Sequence, residues 1–400
     1  MNKALAKAFP IDAANRYGRS DRSALGRWFW EIDRVLLLLV AVLIAIGLVA
    51  VAAASPAAAQ RYSGGSVQFA PLHYFSRQLV WIAISIPVMV FISMLPRDRL
   101  KRLCLFGFAA CIGAMLLVPL IGPEVNGARR WLGLGFAQVQ PSEFLKPCFI
   151  VTIAWLLSLK DKEKGLPVMI LSGALTALVS ALLMVQPDFG STIIFCAVWL
   201  AMIALAGVNL RVLAGIAVGG LAGIILAYFF YDVAQTRIDG FLFGEGDNFQ
   251  VENAMRTLTA GGLLGMGPGG GTRKFHLPEP HTDYIFSVIG EEFGLIACIA
   301  IAAIYGTIVV RVLIKLLDED EPFAILASAG LAAQFGLQAL INMAVNVQLA
   351  PSKGMTLPFI SYGGSSMIAL SIGMGLLLAF TRRNPYLKRS PYVVKWSGER

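Results

Sequence analysis

Residues 273–283 read Arg273-Lys274-Phe275-His276-Leu277-Pro278-Glu279-Pro280-His281-Thr282-Asp283, and a long apolar run follows at once. Asp283 therefore stands at the mouth of a helix, with prolines and charges holding it in place; a plain N-cap is the competing reading. Ser287 and Glu291 follow at four-residue steps on the same helical face, with Glu292 beside them. Acids inside an apolar run line a cavity, pair with a cation or bond to neighbouring helices. In 126–146 the adjacent Arg129 and Arg130 precede Gln140-Pro141-Ser142-Glu143, where Pro141 suits a first helical turn and Glu143 complements the helix dipole. Lys146 lies three residues on, so it can pair with Glu143 on one face; a capped helix start with a snorkelling lysine explains the two equally well. Gln186-Pro187-Asp188-Phe189-Gly190 repeats the Gln-Pro-acid theme, again with an N-cap as the simple account of Asp188. Pro351-Ser352-Lys353-Gly354 leads to Pro358-Phe359-Ile360-Ser361-Tyr362-Gly363-Gly364, where small residues opening a helix make an anion site and Lys353 adds a point charge.

These residues need elements to position them, and composition says which. The chain has 400 residues, of which 57% are hydrophobic and 14% charged. Soluble domains carry roughly 25% charge, and a soluble fold of this length could not hide so much apolar surface. A bilayer core takes about 20 apolar residues per helix, and ten runs qualify, at roughly 35–54, 79–95, 103–122, 143–158, 166–185, 190–206, 210–230, 284–309, 323–349 and 365–381. The net charge of +9 comes from Lys and Arg clustered between those runs and in the tails, seven before residue 35 and six after 381. That pattern records topology and not a nucleic-acid partner: both termini are expected in the cytoplasm. The first run follows 34 residues and is too long for a removable signal, so it is read as an uncut helix despite the small residues at 51–59.

The expected fold is thus an all-α polytopic membrane protein of about ten transmembrane helices with one long extracytoplasmic loop, about 231–283. A basic N-terminal tail (1–34) and a basic C-terminal tail (382–400) flank a membrane domain (35–381). Every motif above then falls on the outer face. The five cysteines lie inside apolar runs as small core side chains, and neither they nor the three histidines have metal-ligand spacing. Residues 265–271, Gly-Met-Gly-Pro-Gly-Gly-Gly, match a dinucleotide fingerprint only by accident, having no strand before them; a close backbone approach and a flexible loop are both open. Gln334, Gln338, Asn342 and Asn346 form a polar stripe in the ninth run, read as glue between helices or, second, as a cavity lining.

Taken together and in this order, NGARRW with QPSE, QPDFG, LPEPHTD with GEEFG, and PSKGMTLPFISYGGSS resemble the SEDS family (shape, elongation, division and sporulation) over roughly 30–385. The Ser-Lys-Gly-Met-Thr-Leu-Pro run is closer to the division branch than to the elongation branch. Phe249-Gln250, Gly269–Gly271, Pro280 and Tyr284 are local departures.

The resemblance implies a peptidoglycan glycosyltransferase polymerising lipid II beside a class B penicillin-binding transpeptidase, in the bacterial inner membrane at the division septum. It places the family's essential aspartate on Asp283. Arg129, Glu143, Lys146, Asp188, His281, Lys353 and Ser361 fall in the other shared segments as substrate-side candidates. In such a reaction a base takes the proton of a sugar hydroxyl, and cations meet the departing diphosphate. Arg129 and Lys353 are the first choices, with Arg130, Lys146, Arg273 and Lys274 also on the outer side. A divalent cation, Mg or Mn, would suit the chemistry, although the sequence shows no dedicated site. The long outer segment is expected to cover the site or dock the partner. The N-terminal tail is available to membrane lipids and other division proteins. A lipid II flippase is the competing function, and a membrane scaffold the third.

Overall fold

In hydrocarbon a backbone must satisfy its N–H and C=O groups internally, so apolar runs of this length become helices. The computed structural model bears this out, and it describes residues 24–382 apart from 65–67, 126–127, 134–137, 161–162, 164, 244–248 and 352–353. A short helix α1 (Ala24–Glu31) leads to α2 (Arg34–Tyr62), α3 (His73–Met94) and α4 (Arg97–Ile121). A small hairpin of β1 (Glu124–Val125) and β2 (Ala128–Arg129) follows, then α5 (Pro141–Leu157), α6 (Val168–Val185), α7 (Phe189–Leu205) and α8 (Leu210–Phe230). Beyond them come α9 (Asp232–Phe243), α10 (Phe249–Ala260), a 3-10 turn at Arg273–His276, and then α11 (Ile285–Leu316), α12 (Pro322–Asn346) and α13 (Gly364–Phe380). Among the described residues, seven helices are long and apolar enough to cross a membrane (α2, α3, α4, α6, α8, α11 and α12), and α7 and α13 are shorter apolar ones. With α5, each of the ten expected runs is met by one helix.

Position in the bundle follows from burial. α12 packs against α5, α7, α11 and α13, and 67% of its apolar window is buried, against none of α8. α12 is the hub, and its polar stripe faces protein. At the end where basic residues gather, Asp33 caps α2 by accepting from Val35 N and Leu36 N. It also takes Arg311 and Lys315, both at 2.8 Å, and Arg97 joins Glu319 at 3.0 Å and Glu321 at 2.8 Å. These pairs tie α2 to α11, and α4 to the turn before α12.

The long segment 231–283 connects α8 to α11 as expected and is itself folded, as α9, α10 and the 3-10 turn. The helix of the eighth run carries a break. Gly294 has φ 80° and ψ 177° and interrupts α11. The glycine-rich stretch after α10 fills that break: Leu295 N donates to Gly262 O (3.0 Å) and Ile296 N to Leu263 O (3.3 Å). In return Met266 N donates to Glu291 O (2.9 Å) and Gly267 N to Glu292 O (3.0 Å). Between a close backbone approach and a flexible loop, the approach is what the fold uses. The approach is tight enough that a Cβ on Gly294 would lie 2.3 Å from Leu263 O.

Candidate active site at the outer face

Asp283 ends a run of turns just before α11, and its main chain is held by α12. Its carbonyl accepts from Asn342 Nδ2 (2.9 Å) and from Asn346 Nδ2 (3.1 Å). Asn342 Nδ2 also donates to Met355 O at 2.5 Å, so one buried amide ties the Asp283 turn to the segment before α13. Asn346 Oδ1 in turn accepts from Ser287 N (3.2 Å) and Ser287 Oγ (2.7 Å). The polar stripe is therefore glue, as expected, but it binds site loops to α12 more than helix to helix.

The residues flanking Asp283 are fastened as firmly. Ser361 Oγ donates to Thr282 O (2.6 Å) and accepts from Leu357 N (2.8 Å). Tyr362 N donates to His281 O at 2.9 Å. Glu279 accepts from Tyr62 Oη (2.5 Å) and Thr282 Oγ1 (2.9 Å). His281 is 3% exposed among Tyr74, Tyr362 and Tyr62, with ring centroids 4.2, 5.2 and 6.1 Å away. Burial there pushes its pKa down to about 3, so the ring is neutral. Within this frame the Asp283 side chain is only partly buried. Gly354 approaches so closely that a Cβ there would lie 2.7 Å from Asp283 Oδ2, which brings the last residue of the Pro-Ser-Lys-Gly motif against the carboxylate. Lys353 itself lies outside the described residues.

Beneath this rim a buried chain runs inward. Lys146, 3% exposed, donates to Glu143 Oε1 at 2.7 Å and to Gln338 Oε1 at 3.5 Å. Gln338 Nε2 reaches Thr356 O (3.1 Å), and Thr356 Oγ1 meets Ser366 Oγ (2.7 Å). The Glu143–Lys146 pair is thus a core ion pair on the same network that positions Met355 and Asp283. It is not a snorkelling lysine.

The arginines divide by their place in the hairpin. Arg129 is half exposed, donating to Pro119 O (3.3 Å) and lying 3.8 Å from Glu124. Arg130 turns inward and grips the Gln-Pro-Asp turn through Gln186 O (3.0 Å) and Pro187 O. In that turn Asp188 caps α7 by accepting from Ser191 N (3.0 Å). Arg237 of α9, which the sequence suggested only as part of a covering loop, comes in beside them. Burial, and then the like charge of Arg130, pull its pKa below the usual guanidinium value, with Asp188, Tyr231 and Tyr284 in electrostatic reach. Arg237 is thus within electrostatic reach both of the Gln-Pro-Asp turn and of Tyr284, the residue after Asp283.

Lys274 and Arg273 do not join this group. Lys274 is 2% exposed and its ammonium pairs with Glu292. The Glu291 carboxylate accepts from Arg273 N (2.6 Å) and Lys274 N (3.0 Å), and Glu292 accepts from Gly269 N (2.8 Å). The paired acids hold the glycine stretch in the α11 break. The Arg273 side chain lines a separate cavity with Arg256 and His276. Among the described residues, no three His, Cys, Asp or Glu side chains converge as a metal site.

A bundle of apolar helices with a rigidly framed, partly exposed carboxylate where two chain turns meet defines a polytopic membrane protein with a polar site at one end of its helices. The chain belongs to the cell cycle protein family of FtsW, RodA and SpoVE, whose profile matches residues 33–386. It is similar to a protein of Caulobacter vibrioides named "Probable peptidoglycan glycosyltransferase FtsW", with 41% identity covering 94% of this chain and 95% of that one. A protein of the same name from Coxiella burnetii is 34% identical over 89% of this chain and 98% of the other. Among solved structures, a chain of a peptidoglycan synthase complex that coordinates polymerization and crosslinking superposes with a TM-score of 0.72. Its identity is 26%, covering 88% of this chain and 97% of that one. The rod shape determining protein RodA of Thermus thermophilus superposes with a TM-score of 0.65 at 27% identity, covering 88% and 96%.

Proposed function

We propose that this chain is a peptidoglycan glycosyltransferase of the division type, polymerising lipid II at the outer face of the cytoplasmic membrane. The observation that carries this reading is the Asp283 turn, with its main chain pinned by Asn342 and Asn346 and the residue itself only partly buried. The 4-hydroxyl of one lipid-linked disaccharide attacks the anomeric carbon of another. Asp283 takes the hydroxyl proton as the new glycosidic bond forms, and the bond to the lipid diphosphate breaks with its electron pair leaving on the diphosphate. A positioned base of this kind contributes roughly 10²–10⁴ in rate. Arg130 and Arg237 supply fixed positive charge for the leaving diphosphate, with Lys353 a further candidate beside Gly354. Arg129, at the exposed rim, is better suited to first contact with an anionic substrate. Glu143, Lys146, Asp188, His281 and Ser361 are assigned to positioning, since each is buried and bonded or packed within the protein.

A divalent cation would act by neutralising the diphosphate. Among the described residues no carboxylate cluster would hold it, so it would arrive with the diphosphate, and Asp283 is the nearest acid of the proposed site. The transpeptidase partner of the penicillin-binding type is supported by the matched chain's place in a synthase complex that polymerises and crosslinks. Septal placement, contacts of the basic tails (1–34 and 382–400) with lipids or other division proteins, and the membrane-domain limits 35–381 belong to the same proposal.

The test supplies lipid II to the purified chain and to Asp283→Asn, each with the transpeptidase, and looks for glycan on a gel. Polymer from the parent and none from the folded variant is expected. Polymer from both removes Asp283 from its role, and none from either, together with lipid scrambling in vesicles, turns the reading toward a flippase.

A further inference from the structure

A second polar cavity lies away from the Asp283 frame, between α10 and the 3-10 turn. It has a volume of about 400 Å³ and is lined by Asn253, Arg256, Thr257, Thr272, Arg273 and His276. Every one of these side chains can donate a hydrogen bond, and none is a carboxylate. Glu252 reaches Arg256 at 2.5 Å from outside the lining, a pair more than half exposed on both sides and therefore weak. Asn253 Nδ2 is buried with no hydrogen-bond partner among the described residues, a costly state for a donor unless a ligand supplies the acceptor. A lining of donors with two guanidiniums selects an acceptor-rich anion, and phosphate matches the guanidinium fork.

The surroundings say what carries that anion. The Glu291 carboxylate holds the main chain of Arg273 and Lys274, and Glu291 lies about 9 Å along α11 from its first residue, Ile285. The stretch leading to the cavity is bonded to residues 291–296. It turns Leu263, Leu264 and Met266 outward, 66%, 80% and 49% exposed, with Phe275 beside Arg273 at 40%. Large exposed apolar side chains beside a cavity lined by cations, on a bundle of membrane-spanning helices, are the pattern of a lipid-headgroup site. We propose that this cavity binds the phosphate of a lipid-linked phosphate ester from the outer leaflet, its acyl or polyprenyl tail lying over Leu263, Leu264 and Phe275. The ester can belong to an anionic glycerophospholipid or to a polyprenyl diphosphate; the recognising chemistry is the same. The inference rests on the membrane placement of α11 and not on the reaction at Asp283.

The full-length chain in detergent micelles is titrated with phosphatidylglycerol, with a polyprenyl diphosphate and with phosphatidylcholine, and bound lipid is counted by native mass spectrometry. The variant is Arg256→Gln with Arg273→Gln; both side chains are exposed at the cavity mouth, and the bonded main chain of Arg273 is kept. Arg99→Gln with Arg102→Gln, both exposed on α4 and outside the cavity, is the charge-matched control. One or both phosphate esters are expected to bind in preference to phosphatidylcholine, about fivefold weaker for each arginine removed, and unchanged in the control. Preference for phosphatidylglycerol identifies a bulk-lipid site, and preference for the diphosphate an approach site for substrate or product. Binding that ignores the two substitutions, or no preference over phosphatidylcholine, overturns the proposal. Asp283→Asn should bind as the parent does, so failure here and failure of the polymerase reading are separable.

Discussion

Asn342→Ala separates positioning from chemistry at Asp283. The amide donates to Asp283 O at 2.9 Å and to Met355 O at 2.5 Å and is 2% exposed, so it touches no substrate. Truncation removes two hydrogen bonds worth about 0.5–1.5 kcal/mol each net, a loss of about 2 kcal/mol. Asn346 still holds Asp283 O at 3.1 Å, so the turn stays folded but loses the bond that fixes its direction, and the tie to the Gly354 side of the site goes with it. A misplacement of about 1 Å costs about 10²-fold in rate, towards the lower end of what losing the base costs. The assay is steady-state polymerisation of lipid II with the transpeptidase present, alongside a melting curve of the same preparation. kcat is expected to fall 30- to 100-fold with KM for lipid II unchanged, while the protein melts a few degrees lower but well above the assay temperature. A kcat within threefold of the parent refutes the argument that Asn342 sets the carboxylate. An equal rise in KM would mean that the amide shapes a substrate contact instead.

Gly294→Ala puts a side chain on backbone at φ 80° and ψ 177°, with its Cβ 2.3 Å from Leu263 O, so it should cost at least about 2 kcal/mol; a melting curve like the parent's would show that the glycine stretch does not lock the α11 break. His281 has a pKa lowered from 6.5 to about 3, so between those values the unfolded chain holds a proton that the folded one does not, and stability falls as pH drops from 6.5 towards 3. At pH 5 this amounts to about 2 kcal/mol, and the difference in melting between pH 7.5 and 5 should shrink in His281→Phe; an unchanged difference would mean that the ring is protonated in the folded state.

The ten apolar runs were legible because length and hydropathy alone decide a span, and each became a helix, although α2, α3, α4 and α11 run six to eight residues past one expected limit, into polar sequence that hydropathy leaves out. Asp283 was legible because Pro278 and Pro280 prevent the preceding chain from being helix, leaving the acid at a boundary. The break at Gly294 was not, because Gly-Leu-Ile-Ala-Cys reads as uninterrupted helix and the partner that stabilises the break begins 30 residues earlier. A signal did exist: the paired acids Glu291 and Glu292 and the glycines of 265–271 each lacked a partner in the local sequence, and they satisfy one another. α10 carried a fainter one, with Val251, Ala254 and Leu258 at helical spacing inside a stretch otherwise polar. No rule of spacing could choose between Arg129 and Arg130, since adjacent residues at a strand end face opposite ways and only the tertiary position of the Gln-Pro-Asp turn decides which is inward. Arg237 was invisible for the same reason, one charge among several in a segment whose fold depends on α8 and α11.

An interrupted helix at membrane depth would ordinarily favour the transporter reading, since broken helices with free backbone ends are where transporters hold their cargo. Here the interruption is filled from within the protein. The main chain of 262–267 takes up the groups around Gly294, and the carboxylates of Glu291 and Glu292 are engaged by Gly269, Arg273 and Lys274. The same holds for the ion pair of Glu143 and Lys146 and for the α12 amides, which bond one another and the site loops. Asp283, by contrast, lies at the rim and is only partly buried. A carrier needs its polar groups open at the midplane and its rim able to move. This bundle closes the midplane and braces the rim through Asn342, Asn346, Ser361 and Tyr362, an arrangement suited to holding two lipid-linked sugars in reacting geometry at the water boundary.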